Sequence, residues 1–201
     1  MMSPLFARVL AAFQPLFSDQ SWGNAQTLLI GTLLTRGRRT VSTALRSMGV
    51  HETGNFGKYH RFLNRAGWSA RAVSRCLLHR IVTTFLAPGG VLTLAIDDTL
   101  ERRWDAHITK RGHWRDSLLS SRQCAMSNSG VRWVVMAAVV PIPWATRWWA
   151  LPFLRVLTSP RSVDETVGKR HKTTVAWAQQ RVRTVRRWLP DVPMTRVGDT
   201  G

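Results

Sequence analysis

Three aspartates carry the chemistry this chain could do. Asp97 and Asp98 stand side by side at the end of the apolar run Val91 to Ile96, and Asp199 follows the short strand-like segment Met194 to Val197. Carboxylates that converge from the ends of two strands are hard oxygen donors of the kind Mg²⁺ prefers. Two such ions, roughly 3.5–4 Å apart, activate an attacking oxygen and stabilise a leaving oxygen when phosphodiesters are cut or joined. A centre of this kind uses a third acid, yet only Thr200 and Gly201 follow Asp199. An aspartate after a strand is by itself an ordinary turn residue or helix cap, so the weight falls on the topology that would bring the two positions together.

The charge balance names the partner. Lys and Arg total 29 against 11 Asp and Glu, a formal charge of +18. Neutralising phosphates releases condensed counterions, so a chain this basic is expected to bind a polyanion, nucleic acid ahead of the alternative of a merely solvated basic surface. Cys76 and Cys124 have no CxxC and no paired His near them, which points away from a disulfide framework or zinc site and toward a reducing cytoplasm. The first residues lack a charged segment followed by an apolar one, so no signal peptide is expected. The most apolar stretch, Val131 to Leu157, is broken by Arg132, Pro141, Pro143, Arg147 and Arg155, short of the ~20 apolar residues a spanning helix needs. No membrane partner is expected.

Positioning the acids falls to two different halves. Residues 1–88 read as helices. Ser21 is expected to cap a helix from Trp22 to Leu34, and Thr40 a second through Met48 with Gly49 past its end. Lys58 to Leu63 makes a third, and Ser69 opens a fourth on which Val73, Leu77, Ile81 and Phe85 recur every four residues. Pro88-Gly89-Gly90 closes this block and marks the expected boundary. From residue 91 to 201 the pattern turns to strands: Val91 to Ile96, then Val131 to Val140, apolar on both faces, then Arg147 to Leu157. A helix follows, its stripe formed by Val175, Ala178, Val182, Val185 and Leu189, and Pro190 ends it before the strand Met194 to Val197. The order is strand, strand, strand, helix, strand. A right-handed crossover would lay the last strand parallel to the first and bring Asp199 beside the doublet.

The segment Ala95-Ile96-Asp97-Asp98-Thr99 resembles the first catalytic motif of bacterial insertion-sequence transposases of the DDE superfamily. Arg196-Val197-Gly198-Asp199-Thr200-Gly201 resembles the strand that ends in their second catalytic Asp, and Tyr59 to Trp68 is similar to part of their helical N-terminal region. The resemblance implies a mixed α+β protein: an all-helical, DNA-binding domain over 1–88, then an incomplete ribonuclease H-like β-β-β-α-β half-domain over 91–201, truncated after the second acid. It implies two Mg²⁺ ions, with Asp98 and Asp199 as catalytic and metal-binding residues. The position just before Thr99 matches the catalytic one, which favours Asp98. Asp97 stays open, since a one-residue shift exchanges the side chain that faces the metals. The family's third acid, a Glu on a later helix, has no counterpart, because Glu52, Glu101 and Glu165 all lie too early. The expected product is therefore a truncated transposase with little catalysis alone. The alternative is a non-catalytic DNA-binding fragment that occupies element ends or inhibits full-length transposase. The partner the resemblance implies is double-stranded DNA, and beyond it the chain itself or full-length transposase, in a bacterial cytoplasm, nucleoid-associated when DNA-bound.

The basic residues cluster in three places. Arg36, Arg38 and Arg39 sit at a helix junction, and Lys58, His60, Arg61 and Arg65 lie on or near the third helix. Together they are expected to grip phosphates in the manner of a helix-turn-helix-like unit. Lys110 and Arg111 fall in a polar insertion, His107 to Asp116, expected as a flexible loop over DNA. Trp133, Trp148 and Trp149 are assigned to the sheet core rather than to base stacking.

Overall fold

The computed structural model describes residues 4–50, 56–116, 119–121 and 123–198. Asp199 and Glu52 lie outside the described residues. The chain divides into two compact units, Met1–Cys76 and Leu77–Gly201, and the division falls within one helix, Ala70–Phe85.

In the first unit the described elements are helical: α1 (Pro4–Ala11), a 3₁₀ turn at Gln14–Leu16, α2 (Asp19–Leu34), α3 (Val41–Ser47), α4 (Phe56–Arg65) and the first turns of α5 (Ala70–Phe85). Ser18, not Ser21, caps α2, because its hydroxyl accepts from the Ser21 amide while Asp19 occupies the first turn. Thr40 caps α3 with a reciprocal capping box through Thr43, and Gly49 follows at φ 68, the left-handed geometry that suits glycine. Leu28, Leu45, Tyr59 and Phe62 form the core, with Phe17 and Trp68 packed on it. The Phe62 and Trp68 rings stack at 5.8 Å. α2 and α3 approach so closely that Gly31 has no room for a side chain. A Cβ there would lie 2.3 Å from the Ala44 carbonyl oxygen.

The second unit is a mixed α+β layer built on a five-stranded sheet, β1 (Leu92–Arg102), β2 (Gly112–Arg115), β3 (Ser127–Pro141), β4 (Trp148–Leu157) and β5 (Met194–Gly198). β3 pairs antiparallel with β1 along one side, and with β2 and then β4 along the other. Two helices, α6 (Arg161–Thr166) and α7 (Thr174–Trp188), lead from β4 to β5, which returns parallel to β1. Leu92 and Leu94 of β1 share one sheet face with Met136, Ala138 and Val140 of β3. That face is covered by Leu78 and Ile81 of α5 and by Val185, Trp188 and Leu189 at the end of α7.

Besides the cap of α2, four features depart from the sequence reading. β1 does not stop at Ile96 but runs on through the doublet to Arg102, because every residue from Thr93 to Arg102 has a partner on β3; pairing overrides the poor strand propensity of Asp. The polar insertion contains β2, which pairs with Ser127–Gly130, so it is only partly loop. Trp148 and Trp149 are exposed rather than core, since they sit at the β3–β4 tip opposite Pro141 and Val140. Val175 is likewise exposed, and the buried stripe of α7 is confined to its last turns. No helix among the described residues is long and apolar enough to cross a membrane.

Candidate active site

The doublet sits in the middle of β1, just beyond the reach of β5. The parallel ladder pairs Leu92 with Met194 and ends where Ile96 meets Gly198. Because side chains alternate across a strand, Asp98 shares the helix-covered face with Leu94 and Ile96, where the buried core gives way to solvent. Asp97 lies on the other face with Thr99 and Glu101.

The two carboxylates have different surroundings. Asp97 Oδ1 accepts the backbone N–H of Asp98 at 2.8 Å, so one of its oxygens is already engaged. Asp98 is 44% exposed and faces a cation: Arg132 Nε lies 3.1 Å from Asp98 Oδ2. Asp98 is opposite Val134 and Arg132 is opposite Leu100, so the contact is a diagonal cross-strand pair on one face. The Arg132 side chain is held from its other side as well. Its guanidinium lies 5.0 Å from the Trp114 ring centroid, and Nη2 donates to the Arg115 carbonyl at 3.1 Å. Trp114 is itself fixed by its indole N–H, which donates to the Gly130 carbonyl.

Five of the other described acids are engaged elsewhere, while Asp19 stands in the first turn of α2 and Asp191 just after α7. Trp133 Nε1 donates to Glu101 Oε2 at 3.0 Å, and this bond holds the Glu101 carboxyl below its ordinary range; burial opposes it, and Arg103 and Arg155 assist. Asp116, buried between strands, receives Arg102 Nε and Nη2 at 2.9 and 2.7 Å and Asn128 Nδ2 at 2.8 Å. Asp164 pairs with His171 at 2.8 Å, and that bond, more than the nearby Lys110 charge, lowers its pKa against the effect of burial. Glu165 faces Arg161 one helical turn away, and Asp105 accepts the His107 amide. Among the described residues no three His, Cys, Asp or Glu converge. The doublet remains the candidate, with one carboxylate on each face of β1. Its donors are oxygen only, which suits a Mg²⁺ ion that keeps most of its waters and takes one or two carboxylates.

The basic residues are presented unequally. Arg36, Arg38 and Arg39 are exposed in the segment between α2 and α3, and His60, Arg61 and Arg65 are exposed on α4. Lys58 lies against the Tyr59 ring at 4.9 Å. Lys110 and Arg111 are half-buried, and Arg111 donates to the Trp104 carbonyl. A cleft of about 220 Å³, lined by Val82, Leu86 to Gly90 and Asp191 to Pro193, lies beside the start of β1, away from the doublet.

Sequence reasoning missed Arg132 and Trp114. Arg132 reads as an interruption of an apolar strand, and its meeting with Asp98 depends on a register no spacing reveals. The only signal was a lone charge inside a run otherwise suited to burial.

Among known protein families, one described as DDE superfamily endonuclease matches the chain over residues 12–201. No curated protein and no solved structure matches.

Proposed function

The chain belongs to the DDE superfamily endonuclease family, and on that premise we propose that it is part of a DNA transposase that cuts and joins phosphodiesters at element ends. Membership implies a nuclease-type function with DNA as substrate. The finer reading adds a ribonuclease H-like catalytic domain, of which β1, β3, β4, α7 and β5 are the first elements, and an insertion-sequence origin.

One observation carries this reading: β5 lies parallel to β1 and its last pair, Ile96 with Gly198, is one residue short of Asp97 and of Asp199 on both strands. Asp199 is a single peptide bond beyond Gly198, so covalent connectivity supports a carboxylate within reach of the doublet. Asp98 and Asp199 are the proposed metal ligands, with Asp97 as the alternative on β1. Asp98 is preferred because it already attracts a cation, whereas Asp97, likewise exposed, is tied to a backbone amide. The β1–β5 register continued by one step would instead pair Asp199 with Asp97, which keeps Asp97 as the alternative. Mg²⁺ held there would supply the charge that activates an attacking oxygen and stabilises a leaving one. The protein's own part is to hold the carboxylates on a rigid strand and to bring phosphates to them. Arg36, Arg38, Arg39, Lys58, His60, Arg61 and Arg65 are the proposed DNA contacts, with Lys110 and Arg111 in a lesser role.

With no third carboxylate converging on the doublet among the described residues, the third is proposed to come from another segment or chain. This favours a second reading, in which these residues alone bind DNA without cutting it and so occupy element ends or restrain an intact enzyme. Both readings are tested by one experiment. The 201-residue chain is titrated with Mn²⁺ and incubated with supercoiled DNA carrying element ends, alone and with a downstream polypeptide that bears a helical Glu. Binding of Mn²⁺ that is lost in Asp98→Asn and Asp199→Asn, with nicking only after complementation, is the expected result. Mn²⁺ binding indifferent to both substitutions would sink the nuclease reading and leave the DNA binder.

A further inference from the structure

Arg132 places a positive charge where a metal ligand is expected, and its surroundings explain how it stays. The guanidinium has three neighbours: Asp98 at 3.1 Å, the Trp114 ring at 5.0 Å and the Arg115 carbonyl at 3.1 Å. The last two belong to β2, so they do not depend on Asp98. The Nε–H is not aligned with the carboxylate as a hydrogen bond requires; the attraction is Coulombic and can be surrendered without breaking a directed bond. The side chain is 22% exposed and sits at the margin of the core face, while the carboxylate is 44% exposed and open to water. A divalent ion arriving from solvent therefore meets a carboxylate already neutralised by a cation that has somewhere else to rest.

We propose that Arg132 is the resident cation of the Asp98 site. It holds and neutralises the carboxylate while the site is empty of metal, and it must yield that contact when a divalent ion binds, so it sets how much free metal is needed to load the site. This rests on the reading that Asp98 is a metal ligand. Arg132 is a positioning residue here, acting through Asp98. β2, the short strand of the polar insertion, gains a role: through Trp114 and Arg115 it parks the guanidinium beside the site after the exchange.

The inference is tested on the whole chain with Mn²⁺ as the probe, its free concentration followed by its paramagnetic resonance signal. Arg132→Gln, which keeps polarity and removes charge, is expected to tighten Mn²⁺ binding about fivefold, the scale of a partly exposed ion pair. Arg132→Lys, which keeps the charge, is expected to fall between it and the parent. Unchanged or weaker binding in Arg132→Gln, with binding in the parent still abolished by Asp98→Asn, overturns the inference and leaves the metal site standing. Binding absent from the parent and from Arg132→Gln alike overturns both. A second measurement needs no folded variant: the Arg132 Nε–Hε resonance of the parent should move as Mg²⁺ is added and saturate with site occupancy. A resonance that stays fixed while Mg²⁺ binds overturns the proposal.

Discussion

Gly198 is the last residue of β5 to pair with β1, and its partner is Ile96, the residue before the doublet. A side chain at Gly198 would meet the Ile96 carbonyl oxygen at 3.5 Å, ordinary contact distance. At Gly130 the same atom would lie 2.4 Å from the Glu101 carbonyl oxygen, which is backbone and cannot yield cheaply. Gly198→Ala should therefore leave the melting temperature nearly unchanged, whereas Gly130→Ala should cost about 2–3 kcal/mol by forcing β3 away from β1. Thermal melts of the two variants, followed by circular dichroism, check the contrast.

Gly31→Ala tests the other unit. The new methyl would press on the Ala44 carbonyl group, so α2 and α3 must separate. A loss of about 2–3 kcal/mol is expected. Hydrogen exchange should rise in α2 and α3 while amides of β1 and β3 keep their protection.

Glu101 predicts a pH effect with a definite sign. Its folded-state pKa lies below the ordinary 4.5, chiefly through the Trp133 indole bond. The stability it contributes is therefore fully present above about pH 4.5 and lost as pH falls through the lowered folded value. Glu101→Gln should cost about 0.5–1 kcal/mol at pH 7, modest because the carboxylate is partly exposed. It should also flatten the decline in stability between about pH 5 and 3. Urea unfolding across that range measures both.

Asp116→Ala removes a buried acceptor shared by Arg102 and Asn128. An expected cost of about 2–3 kcal/mol follows from stranding two partly buried donors. Because Arg102 is on β1, Asn128 on β3 and Asp116 just past β2, the variant should also loosen the β2 arm, seen as faster proteolysis between residues 103 and 126.

DNA affinity separates the basic clusters. A side chain that neutralises one phosphate contributes about 0.9 to the slope of log affinity against log salt. The triple variant of Arg36, Arg38 and Arg39 to Ala should reduce the slope by up to about 2.7. Arg111→Ala should reduce it by less than about 1, since that guanidinium is engaged by the Trp104 carbonyl. Fluorescence anisotropy over a salt series distinguishes them.

What the amino acids made legible was local. Thr40 and Ser69 announce helix starts by hydroxyl chemistry alone, and both hydroxyls accept the expected amide. The apolar runs of β1 and β3 and the return of β5 beside β1 follow from periodicity and chirality. Contacts set by register were not legible. Thr93 to Arg102 pairs throughout because β3 is long enough to reach it, and Asp98 meets Arg132, and Glu101 meets Trp133, only because antiparallel pairing places them on a diagonal. The Trp residues of the β3–β4 tip misled for a related reason: apolar character reports a preference for burial, while a hairpin end offers nothing to be buried under.

That tip has an optical consequence. Trp144, Trp148 and Trp149 are 78%, 62% and 45% exposed, and Trp104 is 70% exposed. Their indoles meet water before any unfolding, so the emission of the native chain should already carry a red-shifted component open to iodide, beside that of the six less exposed tryptophans. Emission wavelength will understate denaturation, and far-ultraviolet dichroism is the sounder gauge of whether the chain is folded.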